Sequence, residues 1–195
     1  MRRRARGYTL VELMMALGVF ASGVVGIIGM QRATVSSNQF AKNMTIANGI
    51  AQAWLTQLSA DATLWTSANN VTSTTWLTTI TTLDNQWQLP VYNATRAFGP
   101  AFDGFGNPVA ANGTFCAQIR LTWLYGDKSA QQNTGVAGNG LIRTEVRVFW
   151  PRDGVTRVNN DCGDTSQATV NAIGAATGTY HFVMQAGAVH QPGAL

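Results

Sequence analysis

One carboxylate and two cysteines are the residues of this sequence with the most conspicuous chemistry. Glu12 is the single charged residue between positions 7 and 30. An ionisable group at the edge of a hydrocarbon-like stretch is costly and usually functional. Cys116 and Cys162 are the only cysteines, and no histidine lies at ligand spacing from either. Two thiols without further ligands do not make a structural zinc site, so no metal is predicted here.

No set of catalytic residues emerges from the remaining sequence. His181 falls in a predicted strand and His190 in a predicted glycine-rich tail, and no serine or cysteine nucleophile pattern accompanies them. The segments 103–108 (Asp-Gly-Phe-Gly-Asn-Pro) and 161–164 (Asp-Cys-Gly-Asp) carry acidic residues in turn-forming contexts. Calcium needs six or more oxygen ligands, so both are interpreted as structural turns. The sequence predicts no enzyme, no cofactor and no metal.

The positive charge is concentrated at the N-terminus. The chain has 13 basic and 9 acidic residues, and four of the basic ones are arginines within residues 1–7. The nine remaining bases balance the nine acids, so the basicity is a topology signal rather than a property of the folded domain. Nucleic-acid binding would need a basic face on that domain and is therefore not predicted.

The elements that must position Glu12 begin with a long apolar segment. Residues 13–30 are uncharged and mostly apolar, close to the ~20 residues that a helix needs to span a bilayer. A cleaved secretory signal would have a shorter apolar stretch and a small-residue cleavage site, whereas Met-Gln-Arg follows here. An ordinary membrane anchor fits the length but leaves Glu12 without a role.

The string Arg-Gly-Tyr-Thr-Leu-Val-Glu-Leu at positions 6–13 accounts for both features. It resembles the class III leader junction of type IV prepilins and of the pseudopilins of type II secretion. The resemblance implies cleavage after Gly7 by a prepilin peptidase and methylation of the new N-terminus at Tyr8, where phenylalanine is usual. It also implies an inner-membrane helix, a periplasmic head that later reaches the cell surface, and as partners other pilins and an inner-membrane assembly platform.

This resemblance gives Glu12 an assembly role. An amine and a carboxylate that are both desolvated in an apolar filament core offset each other's cost when they pair. We therefore expect the Glu12 carboxylate of one subunit to pair with the Tyr8 amine of a neighbour. The alternative is a solvated charge at the membrane interface, where a glutamate is tolerated.

Glycines recur at every third position in the second half of the apolar segment, at Gly23, Gly26 and Gly29. Small residues permit close approach between membrane or bundle helices, although these three could also be apolar filler. Their spacing and the Gln31 that follows resemble the minor pilins called PilV, which favours a minor over a major pilin.

After Gln31 the helix is expected to continue to about Ser59 as an amphipathic segment that seats the head. Its apolar positions recur in steps of three and four residues: Phe40, Met44, Ala47, Ala51, Trp54 and Leu58. Residues 61–112 are expected to form a variable loop with short elements. Strands are predicted over 115–123, 142–150, 155–158 and 179–185, with a long hairpin loop at 126–140.

These observations predict an α+β fold: a long N-terminal helix followed by an antiparallel sheet. The expected divisions are a leader (1–7), a membrane or filament-core half of the helix (8–31), an amphipathic half (32–60), the variable loop (61–112) and the head (113–195). In a head outside the cytoplasm a Cys116–Cys162 disulfide is the simpler expectation, and two buried free thiols are the alternative.

The resulting functional hypothesis is a minor type IV pilin, a structural subunit that primes or caps pilus assembly. A minor pseudopilin of type II secretion is the alternative within the same class. A single-pass anchored binding domain that joins no filament is the alternative from another class, and such a protein would keep its N-terminal leader.

Overall fold

The computed structural model describes residues 9–66, 70–125, 140–152 and 161–191. The chain divides into two compact units, Met1–Asn43 and Met44–Leu195, which are described separately. One helix, α1, spans Leu10–Ala62 and contributes to both. It begins two residues after the start of the predicted helix (8–59) and ends three residues beyond the predicted end.

Polar side chains within α1 bond to the helix itself. Ser22 donates its hydroxyl hydrogen to the carbonyl of Val19 (2.8 Å), and Thr34 donates to that of Met30 (2.9 Å). Such bonds to a carbonyl three or four residues back satisfy a hydroxyl without water. The first half of α1 can therefore carry these residues in an apolar environment.

The segment between α1 and the long strands consists of short elements. It contains two 3-10 turns, Val71–Ser73 and Leu77–Thr79, and a single helical turn, α2 (Ile80–Leu83). Three two-residue strands follow: β1 (Trp87–Gln88), β2 (Ala101–Phe102) and β3 (Pro108–Val109).

The sheet is antiparallel and is built around three long strands: β4 (Phe115–Tyr125), β5 (Leu141–Pro151) and β6 (Tyr180–His190). Its order is β3-β2-β4-β5-β6, and β1 pairs with β4 beside β2. The β4–β5 register shifts between Trp123 and Tyr125. This shift places one extra residue on β4. Such an extra residue bends the strand and increases its twist.

One face of the sheet packs against the second half of α1. Ala47, Ala51, Trp54 and Leu58 of the predicted stripe are fully buried there. From the sheet they meet alternate side chains of the long strands, among them Ile119, Leu121, Val146, Val148 and Val183. Met44 of the predicted stripe is partly buried against this cluster, whereas Phe40 is 42% exposed, so the prediction that Phe40 belongs to the buried face is wrong. Burial of the other stripe residues contributes hydrophobic stabilisation to this unit.

The opposite face is covered by a helix that the sequence did not predict, α3 (Gln167–Ala175). Its Ile173 joins a second apolar cluster with Phe149, Tyr180 and the two cysteines. Ser166 caps the helix by accepting the Thr169 N–H. This N-cap, with Val170 and Ile173 three residues apart, is the signal that could have identified α3.

Two further expectations need correction or lie outside the described residues. The last strand extends beyond residue 185 to His190, because β6 pairs with β5 over its full length, so the prediction of a tail at His190 was wrong. The predicted strand at 155–158 and most of the loop at 126–140 lie outside the described residues.

Candidate assembly segment and the disulfide-tied head

The N-terminus of α1 is capped by Thr9. Its hydroxyl oxygen accepts the N–H of Glu12 at 3.3 Å, and its carbonyl accepts the N–H of Leu13 at 3.2 Å. A side-chain oxygen that accepts the N–H three residues on satisfies one of the four donors left free at a helix start. Thr9 and Glu12 also match the Thr-x-x-Glu capping-box pattern. This pattern is the signal by which the cap could have been predicted from the sequence.

Glu12 lies in the first turn of α1 and is exposed. A negative charge there is favourable because the helix dipole places partial positive charge at this end. Within the described residues its carboxylate has no ion-pair partner. Gly7 and Tyr8, the expected cleavage and methylation positions, lie outside the described residues. The pairing of Glu12 with a neighbouring Tyr8 therefore stays a prediction.

The apolar segment that follows is exposed along its length. One helix in the described part is long and apolar enough to cross a membrane, with an 18-residue window of mean hydropathy 2.2, of which none is buried. The exposed large side chains are Leu10, Val11, Leu13, Met14, Met15, Leu17, Val19, Phe20, Val24, Val25, Ile27, Ile28 and Met30. Soluble monomers rarely expose so large an apolar surface, so this segment fits membrane anchoring.

The three glycines of the repeat make no close contacts with the other described residues. A Cβ built at Gly23, Gly26 or Gly29 would meet nothing within 4 Å, and the same holds for Gly18 outside the repeat. Each glycine in a helix interior costs up to ~1 kcal/mol relative to alanine. Intrachain packing does not explain that cost, so a packing role would have to involve another molecule.

Cys116 and Cys162 form a disulfide, with their Cα atoms 5.2 Å apart. Cys116 lies in β4 and is fully buried, and Cys162 precedes α3 and is 8% exposed. The bond ties the centre of the sheet to the segment that carries α3 across its outer face. A closed loop of this length stabilises the fold by about 4 kcal/mol in the chain-entropy account.

The two acidic turns are held by their own hydrogen bonds. Asp103 accepts the N–H groups of Phe105 (2.8 Å) and Asn107 (2.9 Å), and the Asn107 side chain (3.0 Å). These bonds, above all the one from the Asn107 side chain, lower the pKa of Asp103. The hydrogen bond from Thr169 likewise lowers the pKa of Asp164. No group of three or more metal-binding side chains occurs in the described ranges.

His190 lies near two hydroxyl groups that donate their hydrogens elsewhere. His190 lies beside Ser59 and Thr63 at a groove between the end of α1 and the end of β6. The hydroxyl of Ser59 donates to the Leu55 carbonyl (2.9 Å) and that of Thr63 to the Ala60 carbonyl (2.7 Å). Both hydroxyls donate to backbone carbonyls of α1. A nucleophilic hydroxyl would instead donate to its general base.

Asp61 is a buried carboxylate that the sequence analysis did not single out. It accepts the N–H groups of Thr75 (2.9 Å), Trp76 (2.7 Å) and Leu77 (3.1 Å), and it lies 3.4 Å from the guanidinium of Arg96. A carboxylate with three backbone donors and a cation is well compensated for burial. Asp61 therefore fixes the path of the chain just after α1.

Arg147 is the corresponding buried cation on the outer face of the sheet. It donates to the side-chain oxygen of Gln118 and to the Val170 carbonyl of α3, and it lies 4.4 Å from the centre of the Trp87 ring. Burial, and to a lesser extent the charge of Arg120, lower the pKa of Arg147 to about 10. Nothing local in the sequence indicated that this arginine is covered.

Comparison with known families gives one match: the prokaryotic N-terminal methylation motif matches residues 2–28. No curated protein and no solved structure matches the chain. The motif indicates a type IV pilin-like or pseudopilin protein and implies membrane association and pilus-related partners in general. Proteins with this motif are structural and non-enzymatic. The long apolar helix followed by an antiparallel sheet is a pilin-like architecture, which confirms the predicted α+β class.

Proposed function

We propose that this protein is a minor type IV pilin, a structural subunit that primes or caps pilus assembly. The observation that carries the proposal is the exposed apolar half of α1, which directly follows a methylation-motif leader. The membrane covers such a surface before assembly, and the helices of neighbouring subunits would cover it in a filament. The glycine repeat, whose Cβ positions meet no atom of the described residues within 4 Å, supports a packing role of the minor-pilin kind.

The proposed sequence of events starts with the precursor in the inner membrane and its head in the periplasm. The prepilin peptidase removes residues 1–7 and methylates the amine of Tyr8. The assembly platform then moves the subunit into the filament, where the Glu12 carboxylate pairs with the Tyr8 amine of another pilin. An oxidising periplasm would supply the conditions for the disulfide of the head.

Two measurements test this proposal. Intact mass of the membrane-extracted protein should give a chain that begins at methylated Tyr8, and a chain that retains the leader arginines would contradict any pilin role. The protein should also co-purify with sheared pili. Its presence in a type II secretion complex and absence from sheared pili would instead support the minor pseudopilin.

A further inference from the structure

The strand β6 forms one edge of the sheet. It pairs with β5 over all 11 of its residues without a register shift, and within the described residues no strand lies on its other side. Just beyond one end the Gln191 N–H donates to the Gly140 carbonyl (2.9 Å), and just beyond the other the Arg152 N–H donates to the Thr179 carbonyl (2.9 Å). Bonded residues alternate in an antiparallel pair. The residues whose backbone groups face away from β5 are therefore Phe182, Met184, Ala186, Ala188 and His190.

This edge lacks the features that usually protect an exposed strand. Native proteins cover such edges or interrupt them with charged residues, prolines and bulges. The sequence of β6, Tyr-His-Phe-Val-Met-Gln-Ala-Gly-Ala-Val-His, contains no proline and no Asp, Glu, Lys or Arg. Among the described residues, no backbone hydrogen bond is made to the outward N–H and C=O groups between positions 182 and 190. The edge therefore offers a row of donors and acceptors that an extended backbone matches.

A groove lies beside part of this edge, between β6 and the end of α1. It has a volume of about 400 Å³. Its lining residues are Ser59, Ala62, Thr63, Ala188, Val189 and His190. These side chains are mostly small, and no carboxylate, lysine or arginine is among them. In an added strand every second side chain would point toward α1 and enter the groove, so the groove favours uncharged side chains at those positions.

A second copy of this chain fits the edge poorly, because α1 lies against β6 itself. The Gln185 side chain donates to the Asn48 side chain (3.2 Å), and a Cβ built at Gly187 would lie 3.3 Å from the Leu55 side chain. A copy paired through the same edge would place its own α1 over a strand ~4.8 Å away. Packed helices need ~8–10 Å between their axes. The geometry therefore favours a segment that carries no helix on this face.

We propose that the free edge of β6 is a docking site for an extended segment of another protein, which adds to the sheet as an antiparallel strand. Backbone hydrogen bonds to the outward groups of Met184, Ala186 and Ala188 hold the segment. Its uncharged side chains that face α1 occupy the groove beside Ser59 and Thr63. The other side chains lie on the outer face of the sheet, next to the exposed Ala186 and Ala188.

A synthetic peptide of alternating threonine and valine, with a lysine at each end for solubility, serves as the probe. Directly opposite residues of an antiparallel pair share a face of the sheet, so a peptide with its valines toward α1 bonds to β6 through its threonine N–H groups. Binding to the full chain in detergent is measured by fluorescence anisotropy. N-methylation of the threonines should weaken binding at least ~10-fold, because it removes the hydrogen bonds to the edge. N-methylation of the valines should leave the affinity unchanged.

Substitutions at Ala186 test the same hydrogen bonds from the side of the protein. Ala186→Pro removes an N–H that β5 does not use, and proline is tolerated on an edge strand at such a position. Ala186→Val is the matched control, because it keeps the N–H. The proline variant should bind the unmodified peptide at least ~10-fold more weakly than wild type, and the valine variant should bind it equally well. Urea unfolding shows whether both variants are folded, and the two methylated peptides decide the question if the proline variant is not.

Equal affinities of the two methylated peptides, or no saturable binding of the unmodified one, would overturn the inference. Wild-type affinity of a folded Ala186→Pro variant would do the same. A wild-type dimer that Ala186→Pro dissociates would show that the edge pairs with a second copy, which would overturn the assignment to another protein. None of these outcomes affects the proposed function, which leader cleavage and co-purification with pili test separately.

Discussion

Two carboxylates near the two ends of α1 lie in opposite surroundings. Asp61 is fully buried and accepts three backbone N–H groups, whereas Glu12 is exposed in an otherwise uncharged segment. The contacts of Asp61 explain why an acid is needed there. Within the described residues, the hydrogen bond between Glu12 and the Thr9 hydroxyl oxygen involves the backbone N–H of Glu12 and not its carboxylate. The pairing of the Glu12 carboxylate with another molecule therefore stays a prediction.

We predict that Glu12→Ala inserts into the membrane and is cleaved normally but assembles poorly. The Thr9 cap uses the backbone N–H of residue 12, so it survives the substitution. A Tyr8 amine left unpaired in an apolar core keeps its desolvation cost, and breaking a buried pair typically costs ~3–5 kcal/mol. The ratio of variant protein in sheared filaments to that in the membrane should fall at least ten-fold relative to wild type.

Glu12→Gln is the matched control for this experiment. It keeps the size of the side chain and the helix propensity and removes only the charge. It should assemble as poorly as Glu12→Ala if charge pairing is the cause. Filament-to-membrane ratios equal to wild type for both variants would show that Glu12 is a solvated interface charge.

For a substitution at Asp61 we predict a lower free energy of unfolding and not a specific effect on filament assembly. In Asp61→Asn one carboxylate oxygen becomes an NH₂ group that faces the N–H donors of Trp76 and Leu77. Hydrogen bonds to charged groups contribute ~1.5–3 kcal/mol each, so the free energy of unfolding should fall by about 2–3 kcal/mol. Urea unfolding of the detergent-solubilised protein, followed by tryptophan fluorescence, measures this change.

Arg96→Gln is the control for the ion pair with Asp61. The Arg96 side chain is 28% exposed, and a partly solvated pair contributes little. Its loss should lower the free energy of unfolding by less than 1 kcal/mol. A larger effect for Arg96→Gln than for Asp61→Asn would contradict the assignment of the backbone donors as the main partners of this carboxylate.

At the scale of elements, the glycine repeat of α1 gives a separate prediction. Alanine at Gly23, Gly26 and Gly29 would meet no atom of the described part of the chain within 4 Å and should stabilise the helix by up to ~1 kcal/mol per position. If the glycines allow neighbouring helices to approach closely, the triple alanine variant should nevertheless enter filaments less well. Gly18→Ala is the matched control, since Gly18 also lies in the apolar segment with no atom near its Cβ position.

The measurement is again the ratio of protein in sheared filaments to protein in the membrane. Normal incorporation of the triple variant, with Gly18→Ala also normal, would show that the repeat is apolar filler. Equal loss in both variants would point to helix flexibility rather than to a packing face at the repeat.

The elements that could be predicted are those with strong periodicity. The stripe through Ala47, Ala51, Trp54 and Leu58 and the alternating apolar residues of β4 and β5 predicted the face of the sheet that meets α1. The alternation did not predict that Gln118, Arg147 and Phe149, on the other face of these strands, are buried as well. The helix α3 was missed because nine residues give only two buried positions, Val170 and Ile173. The extension of β6 to His190 depends on pairing with β5. The alanine and glycine residues at 186–188 have low β-propensity and therefore did not predict a strand there.

The candidate site divides in the same way. The leader junction and Glu12 were recognised because their signal is local in the sequence. Asp61 and Arg147 were not, because their partners lie on segments distant in the chain: Trp76 and Arg96 for the first, Gln118 and Val170 for the second. A buried ionised residue is predictable only when its partners can be placed.

At the scale of the whole head, the outer face is a thin cover over the sheet. The helix α3 contributes two buried side chains, and Arg147 occupies space that an apolar core would otherwise fill. Beside them the Cys116–Cys162 bond lies in the same cluster as Phe149 and Tyr180. The covalent link therefore compensates for a small apolar contact area on this face.

We predict that removal of this link destabilises the head more than any single substitution above. A Cys116→Ala/Cys162→Ala double variant should lose about 4 kcal/mol of unfolding free energy, measured by urea unfolding of the solubilised protein. In the wild type, non-reducing peptide mapping should give the linked pair, and alkylation without denaturant should label neither thiol. Because the entropic account acts on the unfolded chain, the tryptophan bands in the near-ultraviolet circular dichroism of the folded double variant should match wild type. Two freely alkylated thiols in protein from the membrane would show that the head matures with reduced cysteines and would contradict an oxidising location.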